Sequence, residues 1–320
     1  MLITIGAFDG FHKGHRELLK ICAQNSNNND WAIISFSPYP AEYLGKVKHS
    51  LFSLNERELI RLVLNVPKMF ILRFDETLRN LTPFEFWQLI RKKFNVDGLV
   101  MGSDFLFGRD NSGSADSLKQ LAISEGINNI FIADLLQKPL YSSSLAREKI
   151  SQGNISGVNK ILGYPFFMMG SVISGNQRGR TMNYPTANLK FAANKIIPEF
   201  GVYSVAVLVN KKFYPGALSI GNNPTFKDIS GTRSEVYILD FDNDIYNQEI
   251  IIFLLGRVRD IKVFENKDSL IAQINKDVQE CRRIYNESLR DYHTKNFLDK
   301  AREFYANKNL MPDVIDLFTH

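Results

Sequence analysis

Short apolar runs in the first half of the chain alternate with stretches whose apolar residues recur at helical spacing. The runs have the length of buried strands, and they cover residues 2–5, 31–36, 69–72, 98–101 and 130–133. Strands that alternate with helices are typical of a parallel sheet with helices on both faces. The sequence therefore predicts a doubly wound α/β domain over residues 1–150, with ligands bound beyond the carboxyl ends of its strands.

The spacing of the apolar residues changes after about residue 166. Runs rich in β-branched and aromatic residues follow one another across Gly, Asn and Asp turns, at residues 201–209, 214–220, 234–241 and 249–255. Little helical pattern separates them, which predicts an antiparallel barrel or sandwich. A closing amphipathic helix is expected over residues 270–285, after an N-cap at Asn266 or Asp268.

These patterns divide the chain into four parts. We predict a first domain at 1–150, a connector at 151–165, a second domain at 166–288 and a helical extension at 289–320. The extension has apolar residues on one helical face. Two roles for it stay open, docking on the second domain or self-association, and the sequence does not give the oligomeric state.

The composition excludes a membrane protein. The 320 residues are 44% hydrophobic and 23% charged, enough for two buried cores, and no apolar run approaches the roughly 18 residues that span a bilayer. Asp9 and His12 interrupt the stretch where a signal peptide would need an apolar core. Cys22 and Cys281 lack disulfide or metal spacing and are predicted to be reduced and structural. We expect a cytoplasmic protein without a membrane partner.

The net charge of +5 and a pI near 9.0 suit a protein that binds phosphates, and nucleic acid is the competing interpretation. The positive charges are dispersed along the chain. Arg91, Lys92 and Lys93 form a short cluster on a predicted helix, which favours a solvated face. We therefore expect small-molecule substrates and no nucleic-acid partner.

The segment GAFDGFHKGH, residues 6–15, follows the first predicted strand and precedes a helical pattern. His12 and His15 are three residues apart, so they share one face at the start of a helix, beside free backbone N–H groups that favour phosphate. Glycines at 6, 10 and 14 permit sharp turns or close approach of a ligand. Asp9 would cap the helix or order the loop. The alternative is a glycine-rich turn with two solvated histidines.

This segment resembles the first signature of the HxGH nucleotidyltransferases, in particular of the bacterial bifunctional riboflavin kinase and FMN adenylyltransferase (FAD synthetase) family. The resemblance implies that His12 and His15 are catalytic and that Gly6, Phe8, Asp9, Gly10 and Gly14 bind ATP. GSDFLFG (residues 102–108) is similar to the family's flavin- and ATP-proximal loop, which implies flavin contacts for Asp104 and Phe105. Core packing is the alternative for Phe105 and Phe107.

SSSLAR (residues 142–147) resembles the family segment whose hydroxyls and arginine hold ATP phosphates. The resemblance implies this role for Ser143, Ser144 and Arg147, against the alternative of an exposed arginine at the start of a linker helix. GNQRGRTMNYPTANL (residues 175–189) is similar to the riboflavin-kinase signature. It implies a mobile phosphate-binding flap containing Gly175, Arg178, Gly179 and Arg180.

The same signature implies that Thr186 and Asn188 help to hold Mg²⁺ with ATP, in a tight turn fixed by Pro185. The alternative is an Asx or Ser/Thr turn that only shapes the loop. Glu235 matches the family's catalytic base. In a strand it shares a face with Tyr237, Leu239 and Phe241, so we expect a carboxylate at the end of an inward-looking apolar row, with a pKa raised by burial. Arg259 and Phe264 would close over the flavin.

Several residues depart from the family pattern, mostly in the first half. Ala7, Tyr39, Leu106 and Leu145 each replace a polar or charged residue, and in the second half Asn183 replaces a glycine and Ile261 an acidic residue. The resemblance implies a fold with a nucleotidyltransferase-type sheet followed by a riboflavin-kinase-type barrel. It implies an enzyme that uses Mg²⁺ and ATP to convert riboflavin to FMN and FMN to FAD.

Two alternatives remain at this stage. The first is a riboflavin kinase whose N-terminal half has lost most of its catalysis, and the second is a non-catalytic flavin- or RNA-binding protein. Retention of two histidines and three glycines in one surface loop argues against decay of the first half.

Overall fold

The computed structural model of the chain describes residues 1–134, 141–174, 184–222, 232–306 and 313–315. The chain divides into two compact units. The first comprises Met1–Ser143 with Asn309–His320, and the second comprises Ser144–Lys308. Our division at residues 150 and 166 stays a prediction for the boundaries of the functional domains.

Among residues 1–134 and 141–143, the first unit contains seven strands and the helices between them. The strands are β1 (Leu2–Ile5), β2 (Trp31–Ser37), β3 (Lys68–Arg73), β4 (Gly98–Gly102), β5 (Leu106–Phe107), β6 (Gly113–Ser114) and β7 (Asn129–Ala133). The helices are α1 (Lys13–Asn25), α2 (Pro40–Tyr43), α3 (Leu54–Val63), α4 (Glu76–Arg79), α5 (Pro83–Lys93) and α6 (Ala115–Ser124). All five predicted strands are present, as β1, β2, β3, β4 and β7.

These five strands form a parallel sheet in the order β3-β2-β1-β4-β7, and β5 and β6 pair separately as an antiparallel hairpin. The central strand β1 is buried along its whole length, as expected where helices cover both faces. Ile3, Trp87 of α5 and Leu99 of β4 belong to one core cluster. The predicted doubly wound parallel sheet is confirmed, and its carboxyl edge is where loops gather.

The second unit contains helices, a barrel and two C-terminal helices. In chain order it has α7 (Ser143–Ser151), which begins at the last residue of the first unit, α8 (Ile155–Leu162), β8 (Phe167–Ile173), β9 (Thr186–Lys190), β10 (Gly201–Val209), β11 (Lys212–Asn222), β12 (Thr232–Ile238), β13 (Glu249–Arg259), α9 (Lys267–Ser288) and α10 (Tyr292–Ala306). The six strands close an antiparallel barrel in the order β10-β11-β12-β9-β8-β13. Of the two predicted architectures, the barrel is therefore the one present.

The barrel corrects three local predictions. Phe167–Ile173 and Thr186–Lys190 are strands that the sequence did not predict, and the strand expected at residues 234–241 ends at Ile238. The predicted closing helix is confirmed as α9. Asn266 is its N-cap, because the Asn266 side chain accepts a hydrogen bond from the Ser269 backbone N–H at 2.8 Å.

The C-terminal extension is only partly helical. Phe297 of α10 is buried in the second unit, where its ring stacks on Tyr164 with the centroids 4.5 Å apart. A short strand, β14 (Asp313–Ile315), then pairs in parallel with β3 at the edge of the first unit's sheet, opposite residues 70–72. The prediction of an entirely helical extension is wrong, because residues 313–315 pair with the unpaired backbone groups of the edge strand β3. Within the described residues, no helix has the length and apolar character needed to cross a membrane.

Candidate active sites

A pocket of about 1280 Å³ lies at the carboxyl edge of the parallel sheet in the first unit. Residues from all three expected loops line it: Gly6 and His15 after β1, Pro40 after β2, and Asp104 after β4. Parallel strands bring these loops together because their carboxyl ends meet at one edge of the sheet. The sheet therefore assembles a site from segments that are distant in sequence.

The two histidines of residues 6–15 form one unit at the start of α1. His12 is the N-cap, and its Nδ1 accepts a hydrogen bond from the backbone N–H of His15 at 3.3 Å. The two imidazole rings stack with centroids 3.7 Å apart, and the His15 ring also packs on Phe8 at 4.9 Å. His12 is only 8% exposed, so the alternative of two solvated histidines is wrong. The first turn of α1 carries no acidic residue that would oppose a phosphate.

Hydrogen bonds of the buried Asp9 carboxylate hold the rest of this loop in place. The Asp9 carboxylate is buried and accepts hydrogen bonds from the Leu51 backbone N–H at 3.1 and 3.3 Å, so Asp9 orders the loop and does not cap α1. A Cβ atom at Gly14 would lie 3.2 Å from Nδ1 of His12. Gly14 thus leaves room for the imidazole that caps the helix.

Two aromatic residues of the loop adopt backbone angles that are rare for bulky side chains. Phe8 has φ of 47° and Phe11 has φ of 43°, and both side chains are buried. Such angles persist only where surrounding contacts impose them, and they concentrate at functional sites. This sign of a functional loop could not be predicted from the sequence, because phenylalanine does not favour positive φ.

The loop after β4 contributes Asp104, Phe105 and Leu106 to the pocket. The Phe105 ring stacks on Phe107 at 5.5 Å with an interplanar angle of 11°, and Phe107 is buried in the core. Core packing is therefore correct for Phe107, whereas Phe105 both packs on the core and reaches the pocket wall. Contact of Asp104 and Phe105 with a flavin stays a prediction.

The serine and arginine residues predicted to hold ATP lie on α7. The Ser143 hydroxyl in the first unit donates a hydrogen bond to the backbone oxygen of Asp9 at 2.5 Å. Ser144 is exposed and Arg147 is half-buried, both in the second unit. The phosphate contacts of these three residues stay predictions.

In the second unit, strand pairing brings the proposed kinase residues together. Asn188 of β9 is the direct partner of Glu235 on β12, and Thr186 is the partner of Tyr237. Residues opposite each other in an antiparallel pair lie on the same face, so these four side chains share one face of the barrel. The prediction of a tight turn is wrong, because Thr186 and Asn188 lie on the strand β9. Their role in holding a metal stays a prediction.

The surroundings of Glu235 differ from the expected buried apolar row. Its side chain is 24% exposed and forms an ion pair with Nη2 of Arg233. The buried residues described on β12 are Ser234, Val236 and Ile238, which lie on the opposite face of the strand. The prediction that the face of β12 carrying Glu235 looks inward is wrong, because the opposite face is the buried one. The Glu235 carboxylate is therefore not strongly buried.

Arg233 is a residue of this site that sequence reasoning missed. Besides pairing with Glu235, its Nε donates to Oδ1 of Asn188 at 3.2 Å. The signal was available, since Arg233 precedes Glu235 by two residues and therefore lies on the same face of the strand. A cleft of about 550 Å³ is lined by Thr186 of this face and by Val236 and Ile238 of the opposite face, and Glu235 and Asn188 are not part of its lining.

Other predicted kinase residues have mixed outcomes. Gly175, Arg178, Gly179 and Arg180 of the flap, and the divergent Asn183, lie outside the described residues. Arg259 and Phe264 do lie together, with the guanidinium carbon 5.7 Å from the ring centroid. Arg259 is also held by Asp277 of α9 through bonds of 2.7 to 3.0 Å, a buried ion pair that the sequence did not predict. Their contact with a flavin stays a prediction.

No three His, Cys, Asp or Glu side chains are grouped to hold a metal ion in the part of the chain that the structure describes. Thr186, Asn188 and Glu235 together offer hydroxyl, amide and carboxylate oxygens on one face. Such hard oxygen donors suit Mg²⁺, which usually takes only one or two protein ligands beside waters and substrate phosphates.

Comparisons with known proteins agree with this division into two sites. A family model of FAD synthetase matches residues 1–144, and one of riboflavin kinase matches residues 162–285. The bifunctional riboflavin kinase/FMN adenylyltransferase of Listeria monocytogenes is 33% identical over 291 residues, which cover 89% of this chain and 92% of that protein. The Bacillus subtilis protein of the same name is 31% identical, over 89% of this chain and 92% of its own length.

A solved structure gives the same extent of similarity. The crystal structure of the macrolide-efflux protein from Streptococcus pneumoniae matches with a TM-score of 0.78 and 31% sequence identity, covering 88% of this chain and 93% of that one. Both halves of the chain are thus matched in order, each by its own family model and together by full-length relatives. The chain belongs to the bifunctional riboflavin kinase/FMN adenylyltransferase family.

Proposed function

We propose that this chain phosphorylates riboflavin to FMN and adenylylates FMN to FAD, at two separate sites, one in each unit. The observation that carries the proposal is the distribution of the two clusters of polar groups. The histidine pair at the start of α1 belongs to the first unit, and Glu235, Asn188 and Thr186 belong to the second. Each cluster has the chemistry of one of the two reactions.

In the first unit the FMN phosphate attacks the α-phosphorus of ATP, and the bond to the β-phosphate oxygen breaks to release pyrophosphate. No covalent enzyme intermediate is required, so the protein positions the reactants and stabilises the developing negative charge. His12 and His15, with the backbone N–H groups at the start of α1, would contact the phosphates. The pocket volume of about 1280 Å³ is large enough for two nucleotides.

Further residues would complete the first site. Gly6, Phe8, Asp9, Gly10 and Gly14 would shape the loop under ATP, and Asp104 and Phe105 would meet the flavin. Ser143, which ends the segment Met1–Ser143 of the first unit, would hold phosphate oxygens. The same role for Ser144 and for the guanidinium of Arg147 stays a prediction from the resemblance. The fixed Asp9 carboxylate and the stacked histidine rings support this assignment, because a preorganised loop need not be ordered again during the reaction.

In the second unit the 5′-hydroxyl of riboflavin attacks the γ-phosphorus of ATP and ADP leaves. Glu235 would accept the hydroxyl proton, and Arg233 holds that carboxylate in place by its ion pair. Mg²⁺, when bound, would neutralise phosphate charge, and Thr186 and Asn188 are the residues that would hold it. Gly175, Arg178, Gly179 and Arg180 would cover the phosphates, and Arg259 with Phe264 would contact the flavin.

We place this activity in the cytoplasm. Cys22 and Cys281 are free and buried, as suits a compartment that keeps thiols reduced. The partners of the chain would be riboflavin, FMN and ATP.

The test is a product assay on the purified full-length chain with Mg²⁺ and ATP. Riboflavin is supplied in one reaction and FMN in another, and FMN, FAD and pyrophosphate are followed by chromatography. We expect FAD in both reactions, with pyrophosphate released in step with FAD. FMN without FAD would reject adenylyl transfer and leave a riboflavin kinase; no product from riboflavin would reject the kinase assignment.

A further inference from the structure

Arg57 of α3 is a buried cation that the reactions described above do not use. Its side chain is 2% exposed and is among the largest fully buried side chains of the described residues. Taking a guanidinium out of water is costly, so a buried arginine is retained where its donors find fixed partners. The partners of Arg57 show what it holds.

All of these partners lie at the carboxyl end of β2 or just beyond it. Nη1 donates to the backbone oxygen of Phe36 at 2.9 Å, Nη2 donates to the Ser35 hydroxyl, and the guanidinium lies over the Tyr39 ring at 4.5 Å. Phe36 and Pro40, which follows Tyr39, line the pocket of the first unit. The divergent Tyr39 is therefore the ring on which Arg57 rests.

Ser35 extends this contact to the histidine loop. Its hydroxyl accepts the hydrogen bond from Arg57 and donates its own to the backbone oxygen of Ala7 at 2.7 Å. Ser35 is fully buried, so no water competes for either bond. Ala7 lies between the pocket-lining residues Gly6 and Phe8 and lines the pocket itself. One guanidinium thus braces two of the three loops that form the site.

We propose that Arg57 is a positioning residue for adenylyl transfer: its guanidinium, through Phe36 and through Ser35 to Ala7, sets the distance between the β2 wall of the pocket and the loop that carries His12 and His15. Arg57 itself is not part of the described pocket lining. The inference rests on the proposed function of that pocket.

This role requires the planar geometry of the Arg57 guanidinium, with its two donor nitrogens, and not its charge alone. Lysine keeps the charge but cannot donate at the same time, in one plane, to a carbonyl and to a hydroxyl. Misplacing a reacting group by about 1 Å can slow a reaction about 100-fold. We therefore expect Arg57→Lys to lower kcat for FAD formation from FMN by about 10- to 100-fold. The KM values for ATP and FMN should change by less than about 3-fold, because no substrate contact is removed.

Ser35→Ala provides a second variant, which removes the hydroxyl that links Nη2 of Arg57 to Ala7 and keeps the bond from Nη1 to Phe36. It should lower kcat in the same direction as Arg57→Lys, and the double variant should lose less than the product of the two single losses, because both act through one chain of contacts. Arg61→Lys is the matched control. Arg61 lies on the same helix but pairs with Glu58 and the backbone oxygens of Val66 and Pro67, away from the pocket.

The experiment measures FAD formation and FMN formation on each full-length variant. Riboflavin kinase activity should stay within about 2-fold of the parent chain throughout, since it belongs to the other unit. Equal kcat losses for Arg57→Lys and Arg61→Lys, or an unchanged kcat for both Arg57→Lys and Ser35→Ala, would overturn the proposal. If Arg57→Lys does not fold, Ser35→Ala still decides the question by its kcat. A parent chain that makes no FAD would instead reject the proposed function.

Discussion

The two candidate sites are built by different means. In the first unit the chemistry lies in loops beyond the ends of parallel strands, and ten consecutive residues supply both histidines and the helix N-terminus. In the second unit it lies on the faces of strands, where Asn188 and Glu235 meet only because β9 and β12 pair. The first site therefore depends on loop conformation, and the second depends on barrel register.

This difference is tested most directly by one conservative substitution in each unit. His12→Asn removes the imidazole but keeps a side chain that caps α1, so FAD formation should fall about 100- to 1000-fold while FMN formation is retained. Glu235→Gln keeps the shape of the side chain but not its basicity, so FMN formation should fall about 100- to 10,000-fold while FAD formation from supplied FMN is retained. Steady-state rates of both reactions are the measurement.

Each variant serves as the control for the other. His12→Ala, which lacks a capping acceptor, separates loss of the imidazole from loss of the helix cap, and it should be no more active than His12→Asn. Equal loss of both activities in either conservative variant would contradict two separate sites.

The same difference explains what the sequence could predict. Residues 6–15 form a local motif, so its helix start and its position at the sheet edge followed from neighbouring residues alone. The faces of β12 did not, because alternation gives two faces without saying which one is covered, and Glu235 was assigned to the wrong one.

Long-range pairing was the other limit. Thr186 and Asn188 follow a proline and suggested a turn, and only their partners on β12 make that segment a strand. The pairing of β14 with β3 joins residues 313–315 to residues 70–72, and the contacts of Arg57 join α3 to β2. No local pattern encodes either of these.

The two cysteines allow the units to be compared without using activity. Burial raises the pKa of the Cys22 thiol in the first unit and of the Cys281 thiol in the second to about 12, from 9.0. A raised thiol pKa means that the neutral form persists through pH 7–9. The reactive thiolate should therefore be about 1000-fold scarcer at each site than for an exposed thiol at the same pH.

Thiol labelling of Cys22→Ser and Cys281→Ser variants at pH 8 measures each remaining cysteine alone. In urea both thiols should react at the rate of the unfolded chain. In the native protein they should react about 1000-fold more slowly. Native labelling of either thiol at an exposed-thiol rate would contradict its burial. The urea midpoint for each cysteine then reports the stability of its own unit.

The docking of α10 should stabilise only the second unit. Phe297 is 5% exposed and packs against the rings of Tyr164 and Phe167. Phe297→Ala should lower the free energy of unfolding by about 3–5 kcal/mol, because it leaves a cavity where an aromatic ring was buried. Labelling of Cys281 should record the loss, and labelling of Cys22 should not.

Tyr292→Ala is the matched control for this substitution. Tyr292 lies on the same helix but is 73% exposed, so its loss should change stability by less than about 0.5 kcal/mol. Equal effects of the two variants would mean that α10 does not depend on the Phe297 contact.

The smallest effects compare one helix cap in each unit. Thr82 caps α5 through its hydroxyl, which accepts from the Glu85 N–H at 3.3 Å and donates to the Glu85 carboxylate at 2.7 Å. The same carboxylate accepts from the Thr82 backbone N–H at 2.8 Å. Asn266 caps α9 with a shorter bond of 2.8 Å. Alanine at either position should cost about 0.5–2 kcal/mol. Thr82→Ala should lie at the lower end of this range, because the bond from the Thr82 backbone N–H to the Glu85 carboxylate survives.

Cys22 labelling should detect only Thr82→Ala, and Cys281 labelling should detect only Asn266→Ala. A cap variant that shifts both urea midpoints would mean that the two units do not unfold independently.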